Sequence, residues 1–120
     1  MKSNKIVTGH FGEDAACTYI EKIGYRLICR NYRQRDGEID IICADRDTLV
    51  FLEVKTRRNS RFGYPAEAVG YQKQRKIMNT AMTYLAEKPG YTQSIRFDVI
   101  EVYIEGACVR INHIENAFGR

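Results

Sequence analysis

The stretch GEIDIICADRDTLVFLEVKTR, residues 37–57, constrains the fold more than any other part of this 120-residue chain. Two runs rich in isoleucine, valine, leucine and phenylalanine flank a four-residue polar break, DRDT, and such runs read as two strands of a hairpin. Their bounds are about Glu38–Ala44 and Leu49–Thr56. Closing the break symmetrically, with Asp45 facing Thr48, places residues whose numbers sum to 93 opposite one another. Side chains of a strand alternate between faces. Ile39, Ile41 and Cys43 then share a dry face with Val54, Leu52 and Val50. The other face carries Asp40 directly across from Glu53, and Glu38 across from Lys55.

Glu38 opposite Lys55 reads as an ordinary cross-strand ion pair. Asp40 with Glu53 does not, because directly opposed like charges destabilise a sheet. Such a pair is reconciled by sharing a proton or by binding a cation, and oxygen-only ligands suit magnesium, which takes one or two carboxylates, waters and a substrate phosphate. Lys55 would lie beside that ion, able to hold a phosphate or the attacking water. The competing reading is a structural charge cluster.

Around the hairpin the order is helix, three strands, helix, two strands, in one domain spanning 1–120. Phe11, Ala15, Ala16, Tyr19, Ile20 and Ile23 recur at helical spacing over Thr8–Ile23, with Gly24 as the stop. Gly9, Gly12 and Ala16 form a small-residue stripe that lets this helix approach a sheet closely. Tyr25–Tyr32 reads as a strand and RQRDG as a turn. After the basic loop RRNSRFGY, Pro65 suits the first turn of a helix reaching about Lys88. IRFDVIEVYI and CVRINHI follow as strands around EGA. Hairpin-linked strands followed by a helical crossover imply a mixed sheet.

A net charge of +4 and a pI near 8.9 suit an anionic partner. Arg30, Arg33 and Arg35, with Arg57, Arg58 and Arg61, cluster at strand ends and loops, where they could track a phosphate backbone; a solvated face would look the same. Lys73 falls on the apolar stripe of the second helix, either contacting substrate phosphate or assisting Lys55, or snorkelling to solvent. Glu13 sits early in the first helix, complementing its dipole or reaching the metal face. Cys17, Cys29, Cys43 and Cys108 form no CxxC pair and read as reduced, buried residues of a cytoplasmic protein. No bilayer-length apolar run or signal-peptide pattern is present, so no membrane partner is expected. His10 and His113 lack zinc-ligand spacing and read as structural or surface residues.

Ile39-Asp40 followed by Glu53-Val54-Lys55 resembles the PD-(D/E)xK nuclease motif, with Ile39 standing where that superfamily carries proline. Over GHFGEDAACTYIEKIGYRLICRNYR, GEIDII, FLEVKTR, FGYPAEAV and INHIENAF the chain is also similar to the uncharacterised YraN-type bacterial family. Within the superfamily it most resembles archaeal Holliday-junction resolvases, whose first-helix glutamate Glu13 would match. The resemblance implies an α/β, restriction-endonuclease-like core with a mixed central sheet flanked by helices. It implies a Mg²⁺- or Mn²⁺-dependent nucleic-acid phosphodiesterase, an endonuclease on branched or otherwise structured DNA, and a homodimer. Asp40, Glu53, Glu13 and the Val54 carbonyl would bind the metal. Asp40, Glu53, Lys55 and Glu13 would form the catalytic set, and Arg33, Arg35, Arg57, Arg58, Arg61 and Lys73 the nucleic-acid surface. Two other readings stand beside it: a nuclease-like module that binds nucleic acid without cutting, and a protein-interaction domain whose charges are structural.

Overall fold

Spatial order in the sheet repeats sequence order. A computed structural model describes residues 2–58, 69–91 and 93–119, with side chains from residue 10 onward and Arg58's left out. It contains α1 (Lys2–Lys22), β1 (Arg26–Gln34), β2 (Gly37–Asp45), β3 (Thr48–Arg58), α2 (Tyr71–Ala86), β4 (Ile95–Glu105) and β5 (Cys108–Phe118). The strands form one sheet ordered β1-β2-β3-β4-β5. All pairs are antiparallel except β3 and β4, which run parallel across the α2 crossover. This is the mixed α/β arrangement expected from the element order.

The two helices cover opposite faces. Ile77, Ala81 and Tyr84 of α2 pack with Ile39, Ile42, Phe51, Phe97 and Val99. Ala16, Cys17 and Ile20 of α1 pack with Ile41, Cys43, Val50, Leu52, Ile100 and Val102. The middle of β3 is therefore apolar on both faces, as a strand buried on two sides requires. Gly24, at φ 97°, ends α1 in the left-handed region that glycine adopts without penalty. At Gly12 the small-residue stripe has its predicted purpose. A methyl group there would overlap the Thr56 hydroxyl and lie 3.1 Å from Thr56 Cβ and 3.3 Å from its Cγ2. Rotating Thr56 can move the hydroxyl, but its Cβ stays at 3.1 Å and the contact remains tight.

Several expectations need correction. α1 begins at Lys2, earlier than Thr8. Val69 and Gly70 are not helical, and α2 starts at Tyr71 with extended Gly70 (φ −66°, ψ 158°) as its N-cap; Pro65 and Arg61 lie outside the described residues. β5 continues four residues past Ile114. Cys108 is exposed and Cys29 half-buried, so only Cys17 and Cys43 match the buried-thiol expectation. Among the described residues no helix is long and apolar enough to cross a membrane.

The hairpin register follows the sum of 93, from Ile41 opposite Leu52 to Asp45 opposite Thr48. Strict alternation fails one step further on. Ile39 packs with Ile42 and Phe51 on the α2 face, away from Ile41 and Cys43. The break lies at Asp40. Its neighbour across β1, Asn31, has φ 53°, and the regular pairs Arg30–Ile41 and Tyr32–Ile39 flank it. On the β3 side, the Val54 amide donates to the Asp40 carboxyl at 2.8 Å.

Candidate functional site

β2 and β3 bring Asp40 and Glu53 together where their regular pairing stops. Glu53 follows Phe51 on the α2 face and is 5 % exposed. The carboxyls hydrogen-bond to each other. Burial, and next the Glu53 charge, push the Asp40 carboxyl up to about 8, although the Val54 N–H favours its charged form. The opposed acids therefore share a proton at neutral pH, one of the two resolutions that the sequence allowed.

A cation supplies the rest of the compensation. Lys73 Nζ, reaching from the first turns of α2, lies 3.1 Å from Glu53 Oε2. Burial alone would lower the Lys73 pKa, but Glu53, then Asp40 and Glu38, hold it above the usual lysine range. Lys73 sits on the apolar stripe because a buried carboxylate waits beneath it.

Lys55 shares the face of Glu53, two residues on, and is half-buried. Among the described residues it has no ion-pair partner. Glu38, expected opposite it, instead accepts a hydrogen bond from Arg33 on β1. Glu13 is brought to Arg30, whose Nη2 lies 3.4 Å from Glu13 Oε1 and 2.9 Å from Asp14 Oδ1. Among the described residues no three His, Cys, Asp or Glu side chains gather as a metal cluster. Arg33 and Arg35 are exposed on the β1–β2 side and Arg57 is half-buried on β3. The side chain of Arg58 and the whole of Arg61 lie outside the described residues.

Two groups of functional weight escaped the sequence reading. Glu101, in register with Lys55 on β4, is 1 % exposed and accepts from Asn112 Nδ2 at 2.7 Å. On the α1 face, fully buried Asp98 collects both Arg96 Nε and Nη2 at 2.9 Å, His113 Nε2 at 2.8 Å and the Asn116 amide at 2.9 Å. Burial would raise the Asp98 pKa; these donors overcome it and hold the carboxyl below its ordinary value. The same network bonds Arg96 to Tyr25 and Asp45, and His113 Nδ1 to Tyr19. The signal was present: Asp98 and Glu101 interrupt the apolar run IRFDVIEVYI as Asp40 and Glu53 interrupt theirs.

The fold and site together define a small α/β protein with a five-stranded mixed sheet and a proton-sharing acid pair at its centre. Residues 12–102 match the profile of Uncharacterised protein family UPF0102. The chain is 44 % identical over 110 residues to the UPF0102 protein of Syntrophomonas wolfei, covering 92 % of this chain and 96 % of that one. It is 46 % identical to the relative from Clostridioides difficile (92 % and 95 % covered) and 48 % to that from Geobacter sulfurreducens (96 % and 90 %). The chain belongs to the UPF0102 family.

Proposed function

We propose that the chain is a metal-dependent nucleic-acid phosphodiesterase with a restriction-endonuclease-like core, an endonuclease acting as a cytoplasmic homodimer on branched or otherwise structured DNA. The observation that carries this reading is the Asp40–Glu53 pair, with Asp40 pushed up to about 8 and Lys55, which has no ion-pair partner among the described residues, on the same face as Glu53. Carboxyls strongly perturbed by burial and a specific charge partner are characteristic of functional sites.

The donor set fits Mg²⁺ or Mn²⁺. Asp40 and Glu53 offer hard oxygen atoms held close by a proton that a cation could replace. The Val54 carbonyl lies on the same side of β3 as the amide facing Asp40. Two carboxylates and a carbonyl leave the remaining positions to waters and a phosphate, as magnesium requires. Glu13 would join by leaving Arg30. When bound, such an ion stabilises charge on the phosphate and lowers the pKa of a bound water. Lys55, free of any carboxylate within the described residues, holds a phosphate oxygen or orients the nucleophile. Lys73 gives up Glu53 and turns to the substrate backbone, alongside Arg33, Arg35, Arg57, Arg58 and Arg61.

A second reading has its own support. Lys73 compensates Glu53 without any metal, and Glu13 is engaged by Arg30, as in a module that binds nucleic acid without cutting it. Cleavage of branched, flapped, single-stranded and duplex DNA with Mg²⁺ or Mn²⁺ separates the two. Endonuclease activity should be abolished by chelator and fall by about 10²-fold or more in Lys55→Ala. Binding without cleavage on every substrate establishes the second reading.

A further inference from the structure

At the far end of the same sheet, roughly 13 Å from Glu53 along β3, lies a cavity of about 390 Å³. It is bounded by the start of β1, the β2–β3 turn, the end of α2 and the segment leading to β4. Arg26, Arg46 and Lys88 line it together with Tyr84 and Tyr91, and Asp47 is its one carboxylate among the described residues. Among the described residues none of the three cations has an ion-pair partner. Lys88 Nζ is held over the Tyr84 ring at 5.2 Å from its centroid.

Arg46 is the independent pointer. It occupies the two-residue loop between Asp45 and Thr48 with φ 55°, a left-handed position that glycine, asparagine and aspartate fill at less cost. The turn gains nothing from an arginine there, whereas the cavity gains a guanidinium. Cations beside aromatic rings in a half-apolar recess recognise a planar base joined to an anion, since every base stacks on an aromatic face and guanidinium matches phosphate geometry.

We propose that this cavity is a nucleoside-phosphate site, with the base against Tyr91 and the phosphate between Arg26, Arg46 and Lys88. The ligand is either a free nucleotide or the 5′-phosphorylated end of a single strand. The site is separate from the acid pair and does not depend on the nuclease reading.

The test is calorimetric titration of the full chain in EDTA with AMP, adenosine, inorganic phosphate and a 5′-phosphorylated decanucleotide. AMP or the decanucleotide should bind one site, at least tenfold tighter than adenosine or phosphate; whichever of the two binds tighter identifies the source. Arg46→Gly relieves the backbone and removes the cation. It should therefore raise the melting temperature while weakening nucleotide binding at least tenfold. Tyr91→Leu should weaken AMP more than phosphate, and Asp40→Asn should leave both affinities unchanged. The proposal is overturned if neither nucleotide probe binds at millimolar concentration, if phosphate binds as tightly as AMP, or if Asp40→Asn abolishes binding while Arg46→Gly preserves it. Loss of cleavage in the experiments above would leave this result untouched.

Discussion

Asp40→Asn should stabilise the metal-free protein, and by an amount that grows with pH. In the native state the Asp40 carboxyl keeps its proton up to about pH 8. In the unfolded chain it loses the proton near pH 3.9. Between those values the folded state binds one more proton, so stability is greatest below the lower value and falls as pH rises towards the upper one. The slope is about 1.4 kcal/mol per pH unit, so stability should fall by about 3 kcal/mol from pH 5 to pH 7. Asparagine cannot titrate, yet its amide oxygen can accept from the Val54 N–H and its amide nitrogen can donate to Glu53, copying the protonated acid. Urea unfolding followed by circular dichroism at pH 5, 6 and 7 in EDTA isolates the acid pair, because titrating groups remote from it cancel between parent and variant. The stability of the variant relative to the parent should therefore rise by about 3 kcal/mol between pH 5 and pH 7. Saturating Mg²⁺ should then stabilise the parent by RT ln(1 + [L]/Kd) and the variant much less. Parallel pH profiles, or a variant less stable than the parent at pH 7, would refute the shared proton and with it the electrostatic basis of the site.

Gly12→Ala should cost about 1–3 kcal/mol by overpacking α1 against Thr56, read as a lowered melting temperature. Removing Asp98 strands the Arg96 and His113 donors in the core, so Asp98→Ala should lose about 3–5 kcal/mol in urea unfolding. Because the Asp98 pKa is lowered on folding, its contribution is complete above about pH 4 and disappears on acidification. The acid-unfolding transition of Asp98→Asn should accordingly be shallower than that of the parent. Lys73→Gln deprives buried Glu53 of its cation, which should lower metal-free stability and enlarge the thermal shift produced by Mg²⁺, since no ammonium then competes for the carboxylate.

The hairpin was readable because two physical rules agreed there. Period-two alternation and a two-residue closure both require Ile41 opposite Leu52 and place Asp40 next to Glu53. The same alternation misled at Ile39. No sequence rule announces that a carboxyl will take a backbone amide and turn the strand. The small-residue stripe foretold the close contact of Gly12 with Thr56, since only packing explains glycine within a helix. Partners that depend on tertiary approach were harder to read. Lys73 is remote in sequence from Glu53, and Arg96, Asp98 and His113 meet only once β5 lies beside β4. Glu38 was assigned to the wrong strand for the same reason, because β1 competes with β3 for its side chain and Arg33 wins.

Because the strands add to the sheet in the order in which they occur along the chain, the ribosome releases them in the order of their final assembly. The β1–β3 meander, joined by short turns, can pair before α2 has emerged from the ribosome. Asp40 and Glu53 then face each other while Lys73, about twenty residues further along, is still inside the ribosome. A nascent hairpin with two ionised acids at its end would resist closing. A carboxyl that readily takes up a proton lets it close without waiting for its lysine, so the perturbed acid that marks the mature centre also serves the order of its making.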